Sequence, residues 1–121
     1  MNSANPSYIY LVDDDASFRS SLNGAFVSLG YQVKTFASAE EFLGHPDIAW
    51  PAVLISDMRM PGIDGLSFIR KAREVSDSIP YYLLTAFSYD QEIEKAIEDK
   101  VVRKAFTKPL DASVITAEFG Y

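Results

Sequence analysis

Short apolar runs alternate with amphipathic stretches along most of the chain. Four runs of β-branched and aromatic residues predict buried strands, and a fifth, interrupted by Arg and Lys, predicts another. These predicted strands span residues 8–12, 31–36, 52–55, 81–84 and 101–106. After strands 1, 3 and 4, apolar residues recur at the spacing of one helix face, and capping residues indicate a helix after strands 2 and 5. The pattern therefore predicts five strands alternating with five helices.

Capping residues support two of these helices. Ser38 and Glu41 lie three residues apart, which is the capping-box spacing at the start of a helix. Near the end of the chain, Asp111 is placed to cap a final short helix that ends near Glu118. We expect this last helix to be short or truncated.

Strands that alternate with helices indicate βαβ units and a parallel sheet. Right-handed crossovers then place helices on both faces of that sheet. Five strands in 121 residues fit a doubly wound α/β fold with the flavodoxin-like strand order 2-1-3-4-5. In such sheets ligands bind beyond the carboxyl ends of the strands where the order reverses, here between strands 1 and 3.

Composition limits the functions that such a fold can carry. The net charge of −6 argues against direct binding of nucleic acid or of an anionic membrane surface. The absence of Cys excludes disulfides, thiolate metal sites and Cys nucleophiles. No apolar run approaches the roughly 20 residues that span a bilayer. We expect a single cytoplasmic domain over residues 8–121, preceded by a disordered segment at residues 1–7.

Polar side chains follow four of the five predicted strands. Asp13 and Asp14 follow strand 1, Asp57 follows strand 3, Thr85 follows strand 4 and Lys108 follows strand 5. Three carboxylates and one ammonium group at one edge leave a local charge of about −2, which resists joint ionisation. A hard divalent cation such as Mg²⁺ relieves this repulsion. One carboxylate could then attack a phosphoryl donor while Mg²⁺ and Lys108 neutralise the phosphoryl oxygens and Thr85 donates a hydrogen bond.

The same residues resemble those of the receiver domains of two-component response regulators. Residues 11–15 are similar to the family's acidic pair after strand 1, and residues 57–65 match its phosphoacceptor segment, Asp-x-x-Met-Pro-x-x-x-Gly. Residues 84–86 resemble the switch Thr followed by a small residue, and residues 108–109 the Lys-Pro pair. The resemblance covers residues 8–118, essentially the whole chain.

The resemblance implies a magnesium site at the acidic cluster. In it, Asp14 and Asp57 bind Mg²⁺ directly, together with the backbone carbonyl of Arg59. Asp13 acts largely through a water molecule.

The resemblance also implies phosphoryl chemistry. Asp57 accepts a phosphoryl group from a phosphohistidine on a sensor histidine kinase or phosphotransfer protein. Thr85 moves toward the phosphoryl group and Lys108 pairs with it, whereas Arg59 and Phe87 occupy variable positions that tune dephosphorylation. Such a domain catalyses its own phosphorylation and dephosphorylation and is not a conventional turnover enzyme.

One departure from the family pattern concerns strand 5. Receivers usually carry Tyr or Phe three residues before the Lys, but Ala105 stands there and the aromatic residue is Phe106. Either strand 5 is shifted in register, or the signal travels differently, through Phe87 or Tyr89. A degenerate receiver that acts as a phosphorylation-independent interaction module is the alternative function. A phosphatase with an Asp nucleophile is disfavoured, because Arg59 replaces the required general acid.

The resemblance also suggests partners. Residues 36–43 are similar to the second-helix segment of the FixJ-type subgroup, whose receivers commonly precede a helix-turn-helix output domain. We therefore expect a C-terminal DNA-binding output domain outside these 121 residues. The face formed by helix 4, strand 5 and helix 5 is where receivers commonly dimerise or contact outputs, so we expect a homodimer through it.

Overall fold

The computed structural model describes residues 4–44, 50–86, 91–108 and 112–119. These residues form one parallel sheet with helices between its strands. In chain order the elements are β1 (Ala4–Val12), α1 (Ala16–Ser28), β2 (Gln32–Phe36), α2 (Ala39–Leu43), β3 (Trp50–Asp57), α3 (Gly65–Val75), β4 (Tyr81–Thr85), α4 (Gln91–Glu98), β5 (Lys104–Thr107) and α5 (Ala112–Phe119). The strand order is β2-β1-β3-β4-β5, and every pairing is parallel, which confirms the predicted doubly wound topology.

Two apolar cores cover the two faces of the sheet. Successive side chains of a strand point to opposite faces, so Tyr10 joins one core while Leu11 joins the other. The first core packs the sheet against α2, α3 and α4, and the second packs it against α1 and α5. Burial on both faces explains why the strands read as nearly continuous apolar runs.

The capping box predicted for α2 forms with one change. The hydroxyl oxygen of Ser38 accepts a hydrogen bond from the backbone N–H of Glu41 at 3.0 Å. The carboxylate of Glu41 accepts from the backbone N–H of Ala37 at 3.0 Å, one residue before the cap. At the other end of the chain, α5 ends at Phe119, close to the predicted Glu118. Asp111, the predicted cap of α5, lies outside the described residues.

The first strand is longer than the apolar pattern predicts. β1 begins at Ala4, within the segment expected to be disordered, because its backbone pairs with the extended start of β3. Ala4 pairs with Trp50 and Asn5 with Pro51, and the register shifts before Ile9. Pairing of backbone groups does not require apolar side chains, so composition alone missed this extension.

The fifth strand is shorter than predicted and begins at Lys104 rather than residue 101. Val101 instead lies in the turn that follows α4, where its backbone N–H donates to the carbonyl of Ala96 at 2.8 Å. Lys100 adopts a left-handed backbone with φ of 63°, which turns the chain toward the sheet. Val102 is buried in the core beneath α4. The two valines therefore contribute to packing beneath α4 and are not part of the strand.

The register of β5 decides which side chain faces α4. Ala105 pairs with Leu83 and belongs to the core beneath α4, whereas Phe106 pairs with Leu84. Phe106 faces the α1 and α5 side, where its ring centroid lies 5.8 Å from that of Tyr82. The alternative of a shifted β5 is therefore wrong, since a one-residue slip would exchange these faces. Phe87 and Tyr89 lie outside the described residues.

Candidate functional site

Residues distant in sequence meet at the carboxyl edge of the sheet. Asp13 directly follows β1, Asp57 ends β3, Thr85 ends β4 and Lys108 directly follows β5. Backbone hydrogen bonds hold the edge together: the N–H of Met58 donates to the carbonyl of Leu84 at 2.8 Å. The N–H of Lys108 donates to the carbonyl of Thr85 at 2.7 Å. The parallel strand order thus fixes the spacing of the functional side chains.

Lys108 bridges two buried carboxylates. Its Nζ lies 2.8 Å from Oδ2 of Asp13 and 3.3 Å from Oδ1 of Asp57. Asp13 is fully buried, and Asp57 is only 5% exposed. The ring centroid of Phe18 lies 4.2 Å from the same Nζ, so an aromatic face supports the cation from α1. The ammonium group of Lys108 is therefore held where it would contact any group attached to the carboxylate of Asp57.

Three further contacts fix Asp13 and the start of α1. Asp13 Oδ1 accepts a hydrogen bond from the backbone N–H of Asp15 at 2.9 Å, and the Asp13 carbonyl accepts from Nη1 of Arg19 at 2.7 Å. Asp15 caps α1 by accepting from the backbone N–H of Phe18 at 3.1 Å. Sequence reasoning assigned no site role to Phe18 or Arg19. Their position in the first helical turn after the acidic residues is the feature of the sequence that could have indicated a place near the site.

The carboxyl of Asp57 is hard to ionise in this setting. Burial, followed by repulsion from Asp13, raises the pKa of Asp57 from 3.8 to about 6, although Lys108 opposes the change. Burial lowers the pKa of Lys108, but the carboxylates of Asp13 and Asp57 raise it by more, so the pKa lies above 10.5. The site therefore sets one ammonium group among carboxyl groups that repel each other, and a further cation would relieve this repulsion.

We expect Asp57→Asn to stabilise the metal-free fold at neutral pH. The folded-state pKa of about 6 exceeds the unfolded value near 3.8. Between these values the folded chain binds more protons, so the contribution of Asp57 to stability falls as pH rises. The variant should gain about 1–2 kcal/mol at pH 7.5 and almost nothing near pH 4. Urea unfolding of the parent chain and the variant in EDTA at both pH values measures this difference. A variant that is less stable than the parent chain at pH 7.5 would contradict the prediction.

The donor set at this edge fits a magnesium ion. Carboxylate oxygens of Asp13, Asp14 and Asp57 lie within 4.8 Å of one another. Oxygens on opposite sides of an octahedral Mg²⁺ lie about 4.2 Å apart, so carboxylates gathered within this limit are candidate ligands of one ion. Asp14 is exposed, so water has access to complete the coordination shell. Arg59, whose carbonyl was predicted as a further ligand, lies exposed in the loop after β3.

The start of α3 packs directly against the backbone of Asp57. The N–H of Gly65 donates to the carbonyl of Met58 at 2.9 Å. A Cβ added to Gly65 would lie 2.3 Å from the carbonyl oxygen of Asp57. Gly65 therefore ends the phosphoacceptor-like segment because no side chain fits between α3 and the end of β3.

The fold and this edge together define a receiver domain of two-component systems. The family model of the response regulator receiver domain matches residues 9–119. The chain belongs to that family.

Similar proteins agree with this assignment. The chain is 36% identical over 97 residues to the C4-dicarboxylate transport transcriptional regulatory protein DctD of Rhizobium meliloti, an alignment covering 80% of this chain and 21% of DctD. It is 37% identical over 79 residues to the transcriptional regulatory protein FixJ of Bradyrhizobium diazoefficiens, covering 64% and 38%. The solved structure of the Vibrio cholerae chemotaxis protein CheY4 superposes with a TM-score of 0.84 at 25% identity, covering 94% and 96%.

The chain thus spans less than half the length of DctD and FixJ. Its identity to FixJ is close to its identity to DctD, so the resemblance lies at the level of the receiver domain. Receiver domains interact with histidine kinases or phosphotransfer proteins, and another relative, NtrC of Klebsiella pneumoniae, is a DNA-binding transcriptional regulator. In the described part of the chain, no helix is long and apolar enough to cross a membrane.

Proposed function

We propose that Asp57 is the phosphoacceptor of this receiver domain. A carboxylate oxygen of Asp57 attacks the phosphorus of a phosphohistidine on a sensor histidine kinase or phosphotransfer protein. A P–O bond forms, the P–N bond breaks, and the departing imidazole takes up a proton. The observation that carries this proposal is the placement of Lys108 Nζ within 3.3 Å of Asp57 while Asp13 anchors it at 2.8 Å.

The residues around Asp57 have separate roles in this step. Lys108 neutralises a phosphoryl oxygen, and the ion pair with buried Asp13 holds its ammonium group in place. Thr85, which is 3% exposed at the end of β4, donates its hydroxyl to another phosphoryl oxygen and moves toward it. The phosphoryl group adds about one unit of negative charge, which this edge must neutralise.

Mg²⁺ is the proposed cofactor. Asp14, Asp57 and the carbonyl of Arg59 hold it, and Asp13 acts through water. When bound, the ion neutralises charge on the phosphoryl oxygens. The cluster of three carboxylates supports this assignment.

Phosphorylation is proposed to switch an interaction with an output. The proposed partners are a homodimer through the face of α4, β5 and α5, and a DNA-binding output domain in a longer cytoplasmic protein. On that face Lys104 of β5 forms an ion pair with Glu118 of α5 at 3.0 Å. The domain itself catalyses phosphoryl uptake and release. Intact carboxylates and Lys108 at the site favour this function over a phosphorylation-independent module.

Intact-mass measurement tests the phosphoacceptor. With Mg²⁺ and a small phosphodonor such as acetyl phosphate, the chain should gain about 80 Da, and EDTA should suppress this gain. Asp57→Asn should show no adduct. Asp99→Asn removes an exposed carboxylate at the far end of α4 and should be labelled like the parent chain.

Two results would reject the assignment. An adduct that persists in Asp57→Asn would place the phosphoryl group elsewhere. An unlabelled parent chain, folded by circular dichroism and exposed to both acetyl phosphate and a phosphorylated histidine kinase, would favour the phosphorylation-independent module.

A further inference from the structure

A cleft lies at the end of the sheet opposite the acidic cluster. It is formed where α3 and α4 end and where β4 and β5 begin, and it encloses about 280 Å³. Since β4 runs from Tyr81 to Thr85, the cleft and the acidic cluster are about 13 Å apart along that strand. Its walls include Arg73, Asp77, Ile79, Ile97, Lys100 and Arg103. We call it the basic cleft.

The basic cleft is positive in an acidic chain. Arg73, Lys100 and Arg103 outnumber the single carboxylate of Asp77, which leaves a charge of +3 − 1 = +2, whereas the whole chain carries −6. Among the described residues, no ion pair engages any of these three cations within 4.0 Å. The guanidinium carbon of Arg73 lies 5.8 Å from the ring centroid of buried Tyr81, so this cation is held by an aromatic face.

The negative ends of two helices offset only part of this positive charge. Each helix C-terminus carries roughly half a negative charge, so α3 and α4 together offset about one of the two excess positive charges. About one positive charge remains for a bound anion. Ile79 and Ile97 add apolar wall beside the cations, which suits a small molecule with both a charged and an apolar part.

The backbone of Lys100 gives an independent indication. Its φ of 63° lies in the left-handed region, where Gly is favoured and a residue with a Cβ is strained. A Lys at a position suited to Gly weakens the fold unless its side chain serves a purpose. Lys100 is exposed and is one of the residues that line the basic cleft. The left-handed conformation itself follows from the end of α4, where the backbone N–H of Lys100 donates to the carbonyl of Ile97 at 3.1 Å. A ligand that uses the ammonium group explains why Lys rather than Gly stands at this position.

We propose that the basic cleft binds a small oxyanion with two or more negative charges, either an organic phosphate or a dicarboxylate. Arg73 and Arg103 offer planar guanidinium groups that match phosphate and carboxylate oxygens, and Lys100 adds a compact charge. This binding is separate from phosphoryl chemistry at Asp57, because the two sites lie at opposite ends of the strands.

NMR titration of the isotopically labelled chain tests the proposal. In EDTA, which silences the magnesium site, pyrophosphate and succinate are added separately, with neutral adenosine as a control. Saturable shifts at backbone amides around residues 73, 100 and 103 should appear with a Kd below about 1 mM for at least one anion. Binding of pyrophosphate alone identifies phosphate as the ligand class, and binding of succinate alone identifies dicarboxylate. Asp57→Asn should bind equally well.

Variants at Lys100 separate a ligand role from a structural one. Lys100→Gly should weaken binding about tenfold while raising Tm by a few degrees, because it relieves the left-handed strain. Lys100→Ala should weaken binding equally without this gain in Tm. Lys34→Gln removes a positive charge from the opposite edge of the sheet and should leave the affinity within about twofold.

Three results would overturn the proposal. The first is the absence of saturable binding by either anion at about 10 mM. The second is binding whose shifts centre on Thr85 and Lys108. The third is binding that Lys100→Gly leaves unchanged, since the cation would then serve only the end of α4.

Discussion

Replacing Lys108 with Met should lower the free energy of unfolding by about 3 kcal/mol at pH 7 in EDTA. The substitution keeps most of the length of the side chain but leaves Asp13 and Asp57, which are 0% and 5% exposed, without their shared cation. Two buried carboxylates would then repel each other. Lowering the pH should recover part of the loss, because Lys108 lowers the pKa of Asp57 in the parent chain, so this carboxyl takes up a proton more readily in the variant.

Urea unfolding measures this effect, and magnesium provides a second test of its cause. Adding Mg²⁺ should restore part of the stability of Lys108→Met, because the ion supplies the missing positive charge. Lys104→Met is the matched control, since Lys104 pairs with Glu118 at 3.0 Å with both side chains at least one-third exposed. That change should cost less than about 1 kcal/mol. Equal losses in the two variants would show that Lys108 has no special electrostatic role.

Gly65→Ala should also be strongly destabilising, by about 3 kcal/mol. The new methyl would lie 2.3 Å from the carbonyl oxygen of Asp57 and 2.9 Å from the Cα of Met58. These are backbone atoms, so relief requires α3 or the end of β3 to move. Movement there displaces Asp57, and we expect the rate of phosphoryl incorporation from acetyl phosphate to fall at least about tenfold.

Gly24→Ala is the matched control for this substitution. Gly24 lies inside α1, and a Cβ added there meets no atom within 4 Å. The change should stabilise the chain by about 0.5–1 kcal/mol, because Ala favours a helix interior more than Gly does. Thermal unfolding and acetyl phosphate labelling of both variants complete the comparison. If Gly65→Ala behaves like Gly24→Ala, the close approach of α3 to Asp57 does not constrain the site.

The departure at Ala105 shows how register limits sequence reasoning. The chain places Ala where the family usually has an aromatic residue, and the sequence left two explanations open. The explanation by a shifted register is excluded by the pairing of Ala105 with Leu83 and of Phe106 with Leu84. This pairing places the two side chains on opposite faces of the sheet. Register depends on hydrogen bonds between strands, which no local pattern reports.

The boundaries of β1 and β5 show the same limit of sequence reasoning. The apolar pair Val101 and Val102 resembles the start of a strand. The backbone N–H of Val101 instead donates a hydrogen bond to the carbonyl of Ala96 in α4. The polar start of β1 resembles a disordered segment, yet its backbone pairs with β3. In both places a tertiary partner outweighs the local pattern.

The sequence by itself determined the order of the elements, the strand order and the presence of Asp13, Asp57, Thr85 and Lys108 at strand ends. It could do so because strand and helix periodicities are local and because parallel strands end at one edge. Only the tertiary structure decided that Lys108 contacts both carboxylates, that Phe18 faces its ammonium group and that three cations line a second cleft. These contacts join residues far apart in the chain, so they depend on how helices pack on the sheet.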